Sequence, residues 1–282
     1  MSKAPAPAKS FALALGGGGA RGLAHIAVLE AIDELGHRPA AIAGTSIGSL
    51  IGAAYAAGMS GKDIRRFVIK LAHNRTELFR RLIATRAGTF ANLFSIGFSS
   101  ATMVDAEKFC HQFLPKKVPE DFGALDIPLM VVATDLHRRQ QAVFSSGALK
   151  PALAASIALP TVMRPVVVED RILIDGGATN PLPFDQLRGR ADIVVAVDIS
   201  GEPTDARRDI PNPWECVAAT VLVMGSAIIA EKVKHGAPDL IVRPNVGGFR
   251  TLDFLQASAI LRASEPIKAE LKEKLAGLLG RS

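Results

Sequence analysis

The chain has 282 residues but only two cysteines, Cys110 and Cys216, which lie far apart in the sequence. Neither has a partner at the spacing of metal ligands, and two such cysteines give no disulfide framework. We therefore expect two buried or half-buried thiols in a protein of a reducing compartment, with no metal site.

Long hydrophobic runs and a secretory signal are also missing. The longest nearly apolar run, residues 216–230, is bounded by Glu215 and Glu231 and is shorter than the roughly 20 residues that span a bilayer. Residues 1–10 are rich in Ala, Pro and Lys and contain no apolar signal core. We expect a disordered leader over residues 1–10 and a cytoplasmic protein, with room for peripheral contact at a membrane surface.

Aromatic residues other than phenylalanine are scarce, with one Trp and one Tyr in the whole chain. Because aromatic and basic residues hardly interleave, the sequence does not favour a nucleic-acid partner. The net charge of +6 allows attraction to anionic surfaces such as phospholipid headgroups but does not require it. The sequence leaves the oligomeric state open.

Uninterrupted apolar segments alternate with helical patterns along the chain. Residues 11–15, 129–134 and 193–197 are continuous apolar runs, which are typical of strands buried on both faces. No internal repeat or linker is visible. We predict a single α/β domain over residues 11–282, with three layers around a mostly parallel central sheet. Its motif-bearing part is residues 11–200 and its helical C-terminal part is residues 201–282.

Residues 44–48, with the sequence Gly-Thr-Ser-Ile-Gly, stand between an apolar segment and a helical pattern. A Gly-x-Ser-x-Gly turn between a strand and a helix is a nucleophile elbow. Gly44 and Gly48 allow a sharp bend there, and Ser46 then lies at a helix N-terminus, which favours negative charge. Taken alone, the pentapeptide fits an ordinary strand-to-helix turn equally well.

A glycine loop at residues 16–22 follows the first strand. Its backbone amides could stabilise an oxyanion beside Ser46 if the first strand pairs with the elbow strand. The same loop matches the Gly-x-Gly-x-x-Gly dinucleotide fingerprint. That fingerprint requires an acidic residue at the end of the second strand, which here ends in Gly-Thr-Ser, so nucleotide binding is the weaker interpretation.

The base that would activate Ser46 is not obvious from the histidines. His235 is the only one late enough for a Ser-Asp-His order, and it ends a helical pattern, while His25 is better explained as a structural residue near the glycine loop. Asp175 ends an apolar strand and is followed by two glycines. Its carboxylate could accept the serine proton or could simply cap the turn.

Three motifs in order, at residues 17–22, 44–48 and 175–177, resemble those of the patatin-like phospholipase family, whose members use a Ser–Asp dyad without histidine. Residues 155–160, followed by Pro165, also resemble the fourth block of that family, a small-residue helix and a proline turn. The resemblance covers residues 11–200 and implies a serine hydrolase that cleaves lipid or other acyl esters through an acyl-enzyme, without metal or organic cofactor. A non-catalytic lipid-binding or regulatory member of the same fold is the alternative.

The resemblance also implies a role for each motif residue. Ser46 would be the nucleophile and Asp175 the base. The loop amides would form the oxyanion hole, and the residues after them would support the loop. These loop residues are Gly17, Gly18 and Gly19 for the oxyanion hole and Arg21 and Gly22 for its support.

Residues 74–104 show no regular pattern and carry Phe79, Phe90, Phe94 and Phe98 among several arginines. Such a segment could form a lid or a flap that contacts a membrane. The simpler interpretation, which we favour from the sequence, is that these phenylalanines pack as a second layer on the domain.

Overall fold

The structure is a computed structural model that describes residues 9–85, 103–201 and 213–280. In these residues one sheet has eight strands, which are β1 (Phe11–Leu15), β2 (Ile42–Thr45), β3 (Leu129–Asp135), β4 (Gln140–Phe144), β5 (Val166–Val168), β6 (Arg171–Asp175), β7 (Ile193–Val197) and β8 (Leu240–Val242). Their order in the sheet is β5-β6-β3-β2-β1-β7-β8, with β4 also paired to β3.

The centre of the sheet is parallel. Strand β1 pairs in parallel with β2 and β7, β2 with β3, and β7 with β8. The antiparallel pairs are on one side, where β4 and β6 pair with β3, and β5 pairs with β6. The prediction of a single α/β domain around a mostly parallel sheet is therefore confirmed.

Successive side chains of each strand point to opposite faces of the sheet. Because β1 and β7 at its centre are apolar throughout, both faces are apolar there and both are covered by helices. Phe11, Leu13 and Leu15 of β1 belong to the larger apolar core, whereas Ala12 and Ala14 belong to a smaller one. The helices are α1 (His25–Glu34), α2 (Ile47–Ala56), α3 (Gly61–His73), α4 (Arg75–Ala84), α5 (Ala106–Phe113), α6 (Leu149–Ser156), α7 (Pro213–Lys234), α8 (Ala257–Ser264) and α9 (Ile267–Leu278). Among the described side chains, the larger core takes members from α1, α2, α3, α5, α6, α8 and α9, and the smaller core includes Ile229 of α7.

Helix α4 corrects the prediction of an irregular segment after residue 74. The side chain of Asn74 accepts a hydrogen bond from the Glu77 amide and caps the helix. Glu77 in turn binds Arg80 and Arg81 one turn further on, which stabilises a short helix.

The phenylalanines of this region were expected to pack as a second layer, and for Phe79 this is wrong. Its side chain is 66% exposed. Phe90, Phe94 and Phe98 lie outside the described residues. For them both the favoured second-layer packing and the alternative of a lid stay predictions from the sequence.

A group of ion pairs joins the last helix to the first. The carboxylate of Glu30 on α1 is buried and binds Arg65 of α3 and Lys268 of α9. A buried carboxylate is stable only when its charge is compensated. These contacts therefore hold α9 against α1 and α3. Residues beyond the last motif are thus tied to the rest of the fold.

The two cysteines differ from each other. Cys110 is buried, and burial raises the pKa of its thiol to about 12, whereas Cys216 on α7 is exposed. The prediction that both are at least half-buried is therefore wrong for Cys216. None of the helices in residues 9–85, 103–201 and 213–280 is both long and apolar enough to cross a bilayer.

Candidate active site

Ser46 stands at the apex of the turn between β2 and α2. Its backbone has φ 54° and ψ −127°, a sparsely populated conformation for a residue other than glycine. The helix that follows begins directly against the sheet. A Cβ on Gly48 would lie 2.2 Å from the carbonyl oxygen of Leu15, and one on Gly44 would lie 2.6 Å from Cα of Ser49. Only glycine fits at either position.

The hydroxyl of Ser46 donates a hydrogen bond to Oδ2 of Asp175 at 2.6 Å. Asp175 is the last residue of β6, and its other oxygen, Oδ1, accepts from the amide of Gly177 at 2.7 Å. The two roles that the sequence left open for Asp175 therefore coexist, because one oxygen caps the turn while the other faces the serine.

Burial controls the protonation of Asp175. Removal from water raises the pKa of its carboxyl to about 6, although the hydrogen bonds from Ser46 and Gly177 act in the opposite direction. At neutral pH the carboxylate is mostly ionised. It is also far more basic than an exposed aspartate, so it can accept a proton from a bound hydroxyl.

Ser156, the last residue of α6, contacts the backbone of Ser46. Its hydroxyl accepts from the Ser46 amide at 2.9 Å and donates to the carbonyl of Val132 at 2.6 Å. Ser156 is fully buried. It lies in the fourth block that resembles the family, where the sequence alone indicates no role for it. The one available signal was a hydroxyl in a run of small apolar residues.

The glycine loop lies beside Ser46. A Cβ on Gly17 would be 3.3 Å from Cβ of Ser46. The Gly17 amide is already used, since it donates to the carbonyl of Pro181 at 2.9 Å. Within the described residues the amides of Gly18 and Gly19 have no hydrogen-bond acceptor. Of the three amides predicted to form the oxyanion hole, these two are the ones available to a ligand.

Arg21 connects the glycine loop to the C-terminal part of the chain. Its guanidinium donates to the carbonyls of Phe249 at 2.7 Å, Gly247 at 3.3 Å and Ser200. Gly22 packs on the elbow helix, where a Cβ would lie 2.2 Å from a methyl carbon of Ile47. The loop is therefore fixed on two sides.

His25 supports the same loop by a hydrogen bond to its backbone. It is fully buried, with Nε2 2.9 Å from the carbonyl oxygen of Gly16. Burial lowers its pKa to about 4, so the ring is neutral near pH 7 and Nε2 donates the hydrogen bond. Nδ1 is buried without a hydrogen-bond partner in the described residues. These contacts agree with the structural role expected from the sequence.

The turn after Asp175 is held by a polar cluster around Asn180. The carbonyl of Asn180 accepts from the hydroxyl of Thr45, the neighbour of Ser46, at 2.7 Å. Its side-chain oxygen accepts from Lys232 of α7, which also forms an ion pair with Asp185. Helix α7 is thus anchored beside the site, which the sequence did not predict.

The structure argues against the dinucleotide interpretation, because the end of β2 carries no carboxylate that could bind a ribose. Strand β2 ends at Thr45, and the nearby Asp33 is occupied by the hydroxyl of Tyr55 and the amide of Gly61, each at 2.7 Å. In the part of the chain that the structure describes, no three His, Cys, Asp or Glu side chains converge as a metal site would.

Comparison with known proteins gives a consistent set of matches. A family model described as patatin-like phospholipase matches residues 13–188. The chain is similar to an uncharacterized NTE family protein of Mycobacterium tuberculosis, with 37% identity over 203 residues, which are 71% of this chain and 52% of that protein. It therefore spans about half the length of this relative.

More distant matches cover most of this chain. Patatin-like phospholipase domain-containing protein 7 of Rattus norvegicus is 29% identical over 270 residues, which are 87% of this chain and 19% of that protein. Lysophospholipase NTE1 of Coccidioides immitis is 27% identical over 290 residues, which cover 95% of this chain and 18% of that protein. The crystal structure of VipD from Legionella pneumophila has a TM-score of 0.51 at 15% identity, covering 94% of this chain and 67% of that one, and supports the fold alone.

Proposed function

Because the chain belongs to the patatin-like phospholipase family, we propose that it is a serine hydrolase that cleaves carboxylic esters of lipids through an acyl-enzyme. The observation that carries the proposal is the 2.6 Å hydrogen bond from the Ser46 hydroxyl to Asp175. Lipids are the proposed substrate class because the names of the similar proteins include a phospholipase domain and a lysophospholipase.

In the first step Ser46 is the nucleophile. Its Oγ forms a bond to the ester carbonyl carbon while its proton passes to Oδ2 of Asp175, and the carbonyl π electrons move onto the oxygen. We assign the amides of Gly18 and Gly19 as donors to this oxyanion, because they are unoccupied and directly follow Gly17, which lies beside Ser46. The Gly17 amide, which binds Pro181, holds the loop in place instead.

In the second step the tetrahedral intermediate collapses and the bond to the leaving alcohol breaks. Asp175 returns its proton to the alcohol oxygen, which leaves the acyl group on Ser46. Water then attacks the acyl carbon, Asp175 accepts the water proton, and the fatty acid leaves as Ser46 regains a proton. The buried position of Asp175 suits both roles, since its pKa of about 6 lies near neutral pH.

We propose that the substrate is met at a lipid surface. Helix α7 carries no charged residue between Glu215 and Glu231, and Val223 and Met224 on it are 68% and 57% exposed. Leu252 is also exposed and follows Thr251, whose carbonyl binds the amide of Ala20 in the glycine loop. Exposed apolar side chains beside a site are typical of an interaction surface. The cytoplasmic location stays a prediction.

A fluorophosphonate probe tests the proposal, because it reacts with an activated serine. We expect the wild type to be labelled and to hydrolyse a lysophospholipid, and we expect Ser46→Ala and Asp175→Asn to lose both activities. Ser10 and Asp192 form a matched control, since the Ser10 hydroxyl donates to the Asp192 carboxylate at 2.8 Å outside the site. Ser10→Ala and Asp192→Asn should keep wild-type labelling.

Two outcomes would contradict the proposal. Hydrolysis by Ser46→Ala at the wild-type rate would exclude Ser46 as the nucleophile. An unlabelled wild type that still binds lipid vesicles would instead favour the non-catalytic lipid-binding alternative.

A further inference from the structure

One short segment at the end of α6 contacts the backbone of both residues of the Ser46–Asp175 pair. The hydroxyl of Ser156 accepts from the amide of Ser46 at 2.9 Å. Two residues later, the carbonyl of Ala158 accepts from the amide of Asp175 at 3.0 Å. Residues 156–158 therefore stand between the elbow and the end of β6, and they set the separation of the two backbones.

The hydroxyl of Ser156 has its hydrogen-bond directions fixed by its neighbours. A serine hydroxyl has one proton and can accept at its lone pairs. The carbonyl of Val132 can only accept and the amide of Ser46 can only donate, so Ser156 donates to the first, at 2.6 Å, and accepts from the second. The side chain is fully buried, so water does not compete for either bond.

The same carbonyl of Val132 lies directly beneath the turn that follows Asp175. A Cβ on Gly176 would be only 2.2 Å from its oxygen. The Ser156 hydroxyl thus connects the elbow to the strand on which the Asp175 turn rests. A displacement of this hydroxyl would change the position of Ser46 relative to Asp175.

The contact also explains how Ser46 keeps its unusual backbone. A residue with φ 54° and ψ −127° is held in that conformation by the surrounding structure. With its amide bonded to Ser156, the Ser46 turn has a defined orientation, and this amide is not available to a substrate oxyanion.

Given the function proposed above, on which this inference rests, we propose that Ser156 is a positioning residue of the hydrolase. It does not touch the substrate, and it orients the Ser46 hydroxyl toward Asp175 by binding the Ser46 amide. The inference concerns the rate of acylation of Ser46 and not substrate binding.

Ser156→Ala is the direct test. We expect the rate constant of fluorophosphonate labelling and kcat for ester hydrolysis to fall by roughly 10- to 100-fold, because small misplacements of a reacting group have effects of this size. KM should stay within about twofold, since no substrate contact is removed. A general loss of folded protein would lower the labelled fraction but not the rate constant of the folded molecules.

Ser264→Ala is the matched control. Ser264 is also fully buried and also ends a helix, α8, and its hydroxyl donates to the carbonyl of Ile260 at 2.7 Å. Both variants remove a buried hydroxyl, but only Ser156→Ala removes the acceptor of the Ser46 amide. We expect Ser264→Ala to label at the wild-type rate.

Two conservative variants complete the test and cover the case in which Ser156→Ala does not fold. Ser156→Thr keeps the hydroxyl and should restore most of the labelling rate. Ser156→Cys keeps the size but offers a weak acceptor, and it should label slowly. A folded Ser156→Ala or Ser156→Cys that labels at the wild-type rate would overturn the inference, as would a folded Ser156→Thr as slow as Ser156→Ala.

The outcome for the wild type separates this inference from the proposed function. If the wild type is not labelled and does not hydrolyse esters, the proposed function fails and the inference fails with it. If the wild type is labelled and Ser46→Ala is not, the proposed function stands, and the Ser156 variants alone decide the inference.

Discussion

The hydroxyl of Ser46 lies 2.6 Å from the carboxylate of Asp175, although the two residues are 129 positions apart in the sequence. The contact arises because β2 and β6 both pair with β3, and their ends meet at the same level of the sheet. A serine and a carboxylate from two different turns thus form one pair.

The pH dependence of hydrolysis should report the ionisation of Asp175. A protonated carboxyl cannot accept the serine proton, and burial raises the pKa of Asp175 to about 6. We expect kcat/KM to fall as the pH drops below about 6 and to be constant from about 7 to 8. A neutral ester substrate assayed between pH 4.5 and 8 measures this. A decrease in kcat/KM only near pH 4, the pKa of the buried His25, would contradict the assignment to Asp175.

Asp175→Asn should raise stability while it abolishes activity. The pKa of Asp175 is about 6 in the folded protein against an ordinary value of 3.8, so the folded state takes up the proton more readily than the unfolded one. The stronger binding of this proton by the folded state therefore stabilises the protein fully below pH 3.8, and this stabilisation is lost as the pH rises through 6. That difference corresponds to roughly 3 kcal/mol at most. We expect a gain of about 1–3 kcal/mol for Asp175→Asn in urea unfolding at pH 8, and none near pH 4.

Asp192→Asn serves as the control for this measurement, because its shift has the opposite sign. Hydrogen bonds from the Ser10 backbone amide and hydroxyl lower the pKa of Asp192. Asp192→Asn should therefore bring no gain in stability at pH 8. A loss of stability in Asp175→Asn at pH 8 would contradict the prediction.

Arg21→Lys should slow labelling of Ser46 without unfolding the protein. Arginine offers several donors in a fixed plane, and Arg21 uses them on the carbonyls of Ser200, Gly247 and Phe249. A lysine cannot reproduce this arrangement, so the glycine loop should lose part of its support. We expect a decrease of about tenfold in the labelling rate constant, in line with the loss of charge-assisted hydrogen bonds.

The control is Arg38→Lys, because Arg38 is exposed and its guanidinium lies over the ring of Tyr55, 5.8 Å from its centre. It should label at the wild-type rate. Equal rates for Arg21→Lys and the wild type would remove the supporting role of Arg21.

Gly48→Ala should destabilise the fold, whereas Gly277→Ala should stabilise it. A Cβ at residue 48 would lie 2.2 Å from the backbone oxygen of Leu15, but one at residue 277 in α9 meets nothing within 4 Å. We expect a loss of about 1–3 kcal/mol for Gly48→Ala and a gain of about 0.5–1 kcal/mol for Gly277→Ala, measured by urea unfolding. A neutral Gly48→Ala would show that α2 can move away from β1.

Much of this architecture could be predicted from the sequence, because its signals are local. Continuous apolar runs predicted the central strands, and the positions of Ser46 and Asp175 after such strands predicted that both lie at turns. The cap of α3 is equally local, since the hydroxyl of Ser60 accepts from the amide of Asp63 at 3.1 Å. Each of these features depends on residues within one or two turns of each other.

The features that were missed depend on distant contacts or on weak local signals. Nothing near Lys232 indicates that it binds Asn180, because the two meet only when α7 packs on the turn after Asp175. The occupied amide of Gly17 likewise depends on Pro181, far along the chain. Helix α4 was missed for another reason, since its cap at Asn74 is local but its apolar pattern is weak.

The contacts of Arg21 have a consequence for any fragment of this protein. The family match ends at residue 188, before β7, which pairs with β1 along its whole length. It also ends before Ser200, Gly247 and Phe249, whose carbonyls bind Arg21. A fragment cut at that point would expose the edge of β1 to other chains, a known cause of aggregation, and would leave the glycine loop unsupported. A site transplanted into another scaffold would therefore have to include residues 193–200 and 247–251, although they carry none of the three motifs.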